Sequence, residues 1–128
     1  MQLLLDTHTF LWWVDGGTRL SRRARAAIRR PDHVCKVSVA SAWEMAIKLS
    51  LGKLQLPSAV ARFFSEQLAS NHFDALGIDL RHIEFVSTLP FHHRDQFDRM
   101  LVAQALTEDL AIVSADPVFA KYGVRHIW

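Results

Sequence analysis

The 128-residue sequence has only one cysteine, five glycines and no long apolar run. The lone Cys35 excludes an internal disulfide framework and any metal site built from several thiolates. No apolar segment approaches the roughly 20 residues that a membrane-spanning helix needs, and the sequence does not start with basic residues followed by a long apolar stretch. We therefore expect a soluble protein of a reducing cytosol.

The sequence also has little net charge, because fifteen Lys and Arg residues stand against thirteen Asp and Glu residues, giving a formal charge of +2. Global charge alone therefore barely argues for a polyanionic partner. Six arginines crowd into TRLSRRARAAIRRP, which is either a solvated helix face or a phosphate-contacting surface. The few glycines form no phosphate-cradling loop or dinucleotide fingerprint, and no nucleophile elbow is present.

Short apolar runs alternate with helical patterns along the whole chain. The predicted strands are QLLL, HVCKV, ALGI, LAIV and VRHIW. The predicted helices are THTFLWWV, RRARAAIRR after a Ser21 cap, 39–50, 57–71, a short one capped by Asp79, and 95–109. Such alternation predicts a mostly parallel sheet covered by helices on both faces. We expect one three-layer α/β/α domain over residues 1–128.

Several polar and aromatic positions carry more specific expectations. In the helix over 39–50, Trp43, Ile47 and Leu51 share one stripe and are expected to face the core. Basic and aromatic groups near the carboxyl edge of the sheet are candidates to hold phosphates or stack on bases, although core packing is the commoner role for tryptophan. These groups are Trp12, Trp13, His92, His93, Arg94 and Arg99.

Acidic residues stand at the ends of two predicted strands. Asp6 directly follows the first strand, and Asp116 lies just past the fourth. Parallel strands present their carboxyl ends at one edge of the sheet, so we expect both carboxylates there. Glu44 lies near the same edge. One interpretation is structural: Glu44 pairs with Ser41 in a capping box and with Lys48 in an i, i+4 ion pair. In the other, an earlier serine caps the helix and Glu44 lies in the helix body.

Asp98 has no simple structural explanation. Leu101, Val102 and Ala105 follow it at three, four and seven positions, so its carboxylate shares the face that meets the sheet. Asp95, one turn earlier, is either the helix N-cap or a further member of the same site.

Asp6, Glu44, Asp98 and Asp116 thus come from four segments that a parallel sheet brings together. Converging carboxylates repel one another, shift their pKa values or bind a cation, and all-oxygen ligands favour Mg²⁺ or Mn²⁺ over zinc. Ions of this kind activate water against a phosphodiester, so the pattern predicts nuclease chemistry, with Thr7 as a further hydroxyl or as a cap. A zinc site at His92 and His93 is disfavoured because adjacent histidines in an extended loop point in opposite directions and no further His or Cys follows at ligand spacing.

Two other classes of function stay open on the residues alone. A phosphatase or receiver-like domain would use Asp6 as phosphoryl acceptor, although the position two residues later is His8 rather than a second acid. A non-catalytic RNA-binding module would use the acids only as caps and solvated ion pairs.

Four blocks occur in order across nearly the whole chain: LLLDTHTFLWW, SVASAWEMAIKLSLGKLQLP, LPFHHRDQFDRMLVAQAL and AIVSADPVFAKY. Together they resemble the PIN-domain ribonucleases, most closely the VapC-type toxins of toxin–antitoxin modules. The resemblance implies a PIN-like fold and a Mg²⁺-dependent endoribonuclease that cuts structured RNA in single-stranded loops. It also implies a cognate antitoxin and a homodimer or a toxin–antitoxin hetero-oligomer. The family's metal-binding acids correspond to Asp6, Glu44, Asp98 and Asp116.

Overall fold

Strands and helices alternate along the chain in the computed structural model, which describes residues 1–128. The elements are β1 (Gln2–Leu5), α1 (Thr7–Val14), α2 (Arg22–Arg29), β2 (Val34–Ser38), α3 (Val39–Ser50), α4 (Val60–Asn71), β3 (Asp74–Leu76), α5 (Leu80–Val86), α6 (Gln96–Glu108), β4 (Ala111–Val113), α7 (Val118–Lys121) and β5 (His126–Ile127). No helix is both long enough and apolar enough to cross a membrane.

The five strands form one parallel sheet in the order β3-β2-β1-β4-β5. Leu5 at the end of β1 lies opposite Val37 of β2 on one side and Val113 of β4 on the other. The strand order reverses between β1 and β4, because the chain winds outward from β1 in one direction and later returns to its other side. Such a switch point opens a crevice at the carboxyl ends of the two strands.

The neighbouring strands β1 and β4 supply both faces of the sheet with apolar side chains. In β1, Leu3 and Leu5 join a core with Phe10 of α1 and Phe63 of α4, whereas Leu4 faces the opposite core. That second core contains residues of α6, β4 and α7, including Leu101, Val102, Ile112 and Phe119. Each fully buried leucine contributes about 1.5–3 kcal/mol, so this alternation holds helices on both faces. The predicted three-layer α/β/α architecture is confirmed.

Three helices have the N-cap residues that the sequence predicts. Ser21 accepts from Ala24 N at 3.0 Å, and Asp79 and Asp95 cap α5 and α6. α4, in contrast, begins at Val60 rather than at Pro57 or Ser58. Ala59 is its extended N-cap residue and provides no side-chain bond.

The expected inner stripe of α3 is wrong. Trp43 is 52% exposed and Leu51 62% exposed. The helix instead buries the neighbouring stripe that contains Glu44 and Met45, rotated by about 100° from the predicted one. Trp43 packs edge-on against Phe97 of α6.

Two other features concern the packing of Cys35 and of α2. Cys35 is buried in the core, and burial raises the pKa of its thiol to about 11. α2 buries Ala24, Ala27 and Ile28, while most of its arginines face outward.

Candidate active site

A polar pocket of about 180 Å³ lies at the carboxyl edge of the sheet, beside the switch point. No apolar side chain lines it. Its lining consists of Asp6, Thr7, His8, Glu44, Lys48, Asp95, Asp98 and Asp116. The structure thus brings all four acids predicted from the sequence to one pocket, together with Asp95.

Asp6 reaches the pocket because the chain turns from β1 directly into α1. The carboxylate caps that helix, with Oδ1 accepting from Thr9 N at 2.9 Å. Its Oδ2 accepts from Ser114 Oγ at 2.6 Å. The side chain is buried, and an unpaired carboxylate there would cost several kcal/mol. These two donors explain why a charge can follow three leucines.

Glu44 lies in the body of α3, because Ser38 caps that helix through Ala40 N. The capping box with Ser41 therefore does not form. Thr7 Oγ1 donates to Glu44 Oε1 at 2.6 Å, and Lys48 Nζ lies 2.8 Å from Oε2. The predicted ion pair with Lys48 is confirmed, and Glu44 lines the pocket as well.

Asp98 occupies the first turn of α6. Its backbone N–H donates to Asp95 Oδ1 at 2.9 Å, so Asp95 both caps the helix and lines the pocket. Burial is the main cause that raises the pKa of Asp98 to about 8, and the nearby carboxylates of Asp95, Asp6, Glu44 and Asp116 add to it. Ionisation of Asp98 is therefore disfavoured first by its burial and then by the like charges around it.

Asp116 stands on the exposed rim of the pocket, between β4 and α7. Its Oδ1 accepts from Val118 N at 2.9 Å, and its backbone N–H donates to Ser114 Oγ at 3.0 Å. The Ser114 hydroxyl therefore links Asp6 to the backbone of Asp116. The sequence interpretation missed this serine, although it directly follows the fourth strand.

The family model named PIN domain matches residues 3–124 of the chain. The chain belongs to the PIN-domain family. Members of this family are nucleases, so the activity of this PIN domain is a hydrolase activity. No curated protein matches the chain.

Several solved toxin–antitoxin structures share the fold of this PIN domain. VapBC2 from Rickettsia felis, solved with a promoter DNA fragment, matches with a TM-score of 0.71 and 9% identity, over 98% of this chain and 97% of that chain. VapBC-1 from nontypeable Haemophilus influenzae matches with a TM-score of 0.65 and 12% identity, over 98% of this chain and 96% of that chain. VapBC-5 from Mycobacterium tuberculosis matches with a TM-score of 0.56 and 18% identity, over 98% of this chain and 96% of that chain. At these identities the likeness concerns the fold.

A hydrogen-bond chain behind Asp98 is a second feature that the sequence interpretation missed. Arg99 can only donate, so its Nη1 donates to Tyr122 Oη at 3.3 Å. The tyrosine hydroxyl then donates to His93 Nδ1 at 2.7 Å, which leaves the imidazole hydrogen on Nε2. When Asp98 is ionised, this Nε2 donates to its Oδ2 at 3.3 Å. These hydrogen bonds fix the tautomer of His93 and hold one oxygen of Asp98.

Arg99 itself does not have the expected role at the edge of the site. It is only 6% exposed, and its guanidinium donates to the backbone carbonyls of Pro90 and Leu89 and packs over the Phe91 ring. The prediction that Arg99 contacts phosphates is therefore wrong. Its position on α6 turns it towards the loop before the helix, where it holds that loop in place.

A second group of potential metal ligands, Asp79, His82 and Glu108, lies elsewhere in this PIN domain. Glu108 is ten residues after Asp98 on α6, about 15 Å along the helix. His82 accepts from Asp79 N at Nδ1 and donates to Glu108 Oε1 at 3.0 Å. Arg81 Nη2 contacts both carboxylates, at 3.0 and 2.8 Å. These groups satisfy one another, so the cluster acts as an ion-pair network between α5 and α6.

Proposed function

We propose that this PIN domain is the toxin of a VapC-type toxin–antitoxin pair and that it is a Mg²⁺-dependent endoribonuclease, with Mn²⁺ as an alternative ion. Asp6, Glu44, Asp98 and Asp116 are the proposed metal ligands and catalytic residues. Family membership supports the nuclease activity, and the VapBC structures with the same fold support the toxin–antitoxin assignment.

The observation that carries this proposal is the charge imbalance in the pocket. Five carboxylates line it, and Lys48 is the only lysine or arginine there. That lysine already pairs with Glu44. No lysine or arginine of the lining is left for the other four carboxylates, and their like charges add to the burial that raises the pKa of Asp98. A hard divalent cation with oxygen ligands would supply the counter-charge, so the donor set fits Mg²⁺ or Mn²⁺.

The carboxylates are already oriented by donors of the chain itself. Ser114 and the N-terminus of α1 hold Asp6, and Thr7 and Lys48 hold Glu44. His93 holds Asp98. Such donors reduce the reorganisation that the carboxylates undergo when ligands bind. A bound Mg²⁺ ion supplies acidity to a water molecule and charge stabilisation to a phosphodiester.

The proposed substrate is RNA with single-stranded loops, and the proposed partner is a cognate antitoxin protein. We further infer a homodimer or a toxin–antitoxin hetero-oligomer. Co-expression with the antitoxin, followed by light scattering, tests the assembly. A chain that stays monomeric both alone and with the antitoxin would contradict this part of the proposal.

An RNA digest tests the activity. The purified protein is incubated with a loop-containing RNA and Mg²⁺, with and without EDTA, and the cut ends are mapped. We expect cleavage inside loops, which EDTA abolishes and added Mg²⁺ restores. Cleavage that persists in EDTA would contradict the metal-dependent mechanism. A phospho-adduct on Asp6 after incubation with a small phosphoryl donor would favour a phosphoryl-acceptor enzyme instead.

A further inference from the structure

A larger groove of about 590 Å³ lies beside the acidic pocket. His8 and Lys48 line both cavities, so the two are contiguous. α1, the turn after it, the segment over 53–57 and α4 form the groove walls. Its apolar part includes Leu11, Leu54 and Phe63.

The groove combines flat rings with unpaired positive charge. The rings of His8 and Trp12 stack with centroids 5.7 Å apart and planes 18° apart. Arg19 places its guanidinium carbon 6.0 Å from the centroid of the Trp12 ring. Arg19 and Lys53 are exposed and form none of the chain's ion pairs. Asp15 is the only acid among the lining residues.

We propose that this groove binds the single-stranded nucleotides next to the phosphate that is cut. A base stacks on the His8–Trp12 pair, and Arg19 and Lys53 contact the flanking phosphates. This inference rests on the proposed ribonuclease function and deepens it by assigning a substrate subsite. Base stacking on aromatic rings and cations along the backbone are the two features that single-stranded nucleic acid binding needs.

Charge complementarity argues for an RNA strand as the occupant of the groove. A phosphodiester backbone supplies one negative charge per nucleotide, which matches the exposed and unpaired Arg19 and Lys53. The shared wall at His8 and Lys48 also leads the same strand directly into the acidic pocket. Occupation by an antitoxin peptide is therefore a separate outcome of the test.

The test measures RNA binding in the full-length Asp98→Asn protein, so that the probe is not cut. The probes are a fluorescein-labelled uridine decamer and an abasic decamer of equal charge, followed by anisotropy with Mg²⁺ present. We expect the uridine decamer to bind about 10-fold tighter than the abasic one. Trp12→Leu should remove this preference while keeping an apolar side chain.

Charge variants test the second half of the proposal. Arg19→Gln and Lys53→Gln should each weaken binding of both decamers about 2- to 5-fold and lower the salt dependence of binding. Phe91→Leu and Arg125→Gln are the matched controls, because they remove an exposed ring and an exposed charge outside the groove. Both controls should bind as the parent does. Thermal melts check that every variant is folded.

Several outcomes would overturn the proposal. The uridine and abasic decamers could bind equally, or Trp12→Leu and Arg19→Gln could bind RNA like the parent protein. Loss of antitoxin binding with RNA affinity retained would assign the groove to a protein partner. These results are independent of whether wild-type protein cleaves RNA, so a failure of the groove proposal is distinguishable from a failure of the ribonuclease function.

Discussion

The two carboxylate clusters of this PIN domain differ in how far side chains of the chain itself compensate their charge. At Asp79, His82 and Glu108, the guanidinium of Arg81 and the imidazole of His82 hydrogen-bond to the acids. The bond from Arg81 holds the pKa of Asp79 below its usual range, and the bond from His82 does the same for Glu108. In the acidic pocket, the pKa of Asp98 is raised to about 8.

This difference is the basis for proposing a cation site in the acidic pocket rather than at the Asp79 cluster. In the Asp79 cluster, Arg81 pairs with both carboxylates and His82 donates to Glu108, and these bonds connect α5 to α6. The pocket concentrates carboxylates with one lysine, which is unfavourable until a cation binds. Proximity of acids alone does not identify a metal site; the absence of internal counter-charges does.

Asp98→Asn should have the largest effect on cleavage, lowering its rate by more than about 100-fold, because it removes a proposed metal ligand. Initial rates on a loop-containing RNA measure this loss. Asp109→Asn is the matched control, since it makes the same change at the exposed other end of α6. Equal rates for the Asp98→Asn variant and wild type would remove Asp98 from the site.

Metal affinity should depend steeply on pH. Below pH about 8 the Asp98 carboxyl holds a proton that must leave before it ligates an ion. The apparent affinity for Mn²⁺ should therefore rise about 50-fold between pH 6 and pH 8. Calorimetry in buffers of different ionisation enthalpy should detect release of about one proton at pH 6.5. An affinity that is constant over this range would contradict the raised pKa.

His93→Phe should weaken Mn²⁺ binding about 10-fold, because Asp98 loses the donor that orients it. His93→Gln, which keeps a side-chain donor, should recover part of that loss. His92→Phe is the matched control, since His92 packs against the Tyr122 ring but makes no bond to an acid of the pocket. If the variants at 92 and 93 bind Mn²⁺ alike, the hydrogen bonds that run from Tyr122 through His93 to Asp98 do not support the site.

Asp98→Asn should stabilise the metal-free protein. The folded pKa lies above the ordinary value of 3.8, so between pH about 4 and 8 the folded state holds the extra proton and its stability falls as pH rises. Asparagine does not ionise, and the variant should gain about 1–3 kcal/mol at pH 8. Urea unfolding in EDTA at pH 5 and pH 8 measures the gain. A gain that does not grow with pH would be inconsistent with this explanation.

Glu108→Gln should have the smallest effect, a loss of about 0.5–1.5 kcal/mol in unfolding free energy at neutral pH, because it weakens the bonds to His82 and Arg81. The pKa of Glu108 is lowered, so wild-type stabilisation from this group is present at neutral pH and is lost as the carboxyl protonates in acid. RNA cleavage should not change. A drop in cleavage would tie this cluster to the activity and remove the distinction between the two clusters.

Much of the fold and the placement of the acids follow from local patterns. Short apolar runs between helical patterns predict the strands, and the position of Asp6 and Asp116 just after two of these strands predicts that both lie at the carboxyl edge of the sheet. Asp98 was predicted from its position on the inner face of a helix. These features depend on residues close together in sequence, which is why they could be predicted.

The supporting donors depend on how distant segments pack. The bond from Ser114 to Asp6 joins residues 108 positions apart, and His93 reaches Asp98 with the help of Tyr122, which comes from the end of the chain. The rotation of α3 that exposes Trp43 is likewise set by its neighbours rather than by its own periodicity. Sequence spacing contains no information about such contacts.

Calorimetric titration of Mn²⁺ at pH 7.5 tests the central claim most directly. Wild-type protein and the Glu108→Gln variant should bind the ion with equal affinity, and Asp98→Asn should lose at least about 10-fold in affinity. Equal binding by wild type and Asp98→Asn, together with weaker binding by Glu108→Gln, would show that the ion binds between α5 and α6 and would contradict the assignment of the acidic pocket.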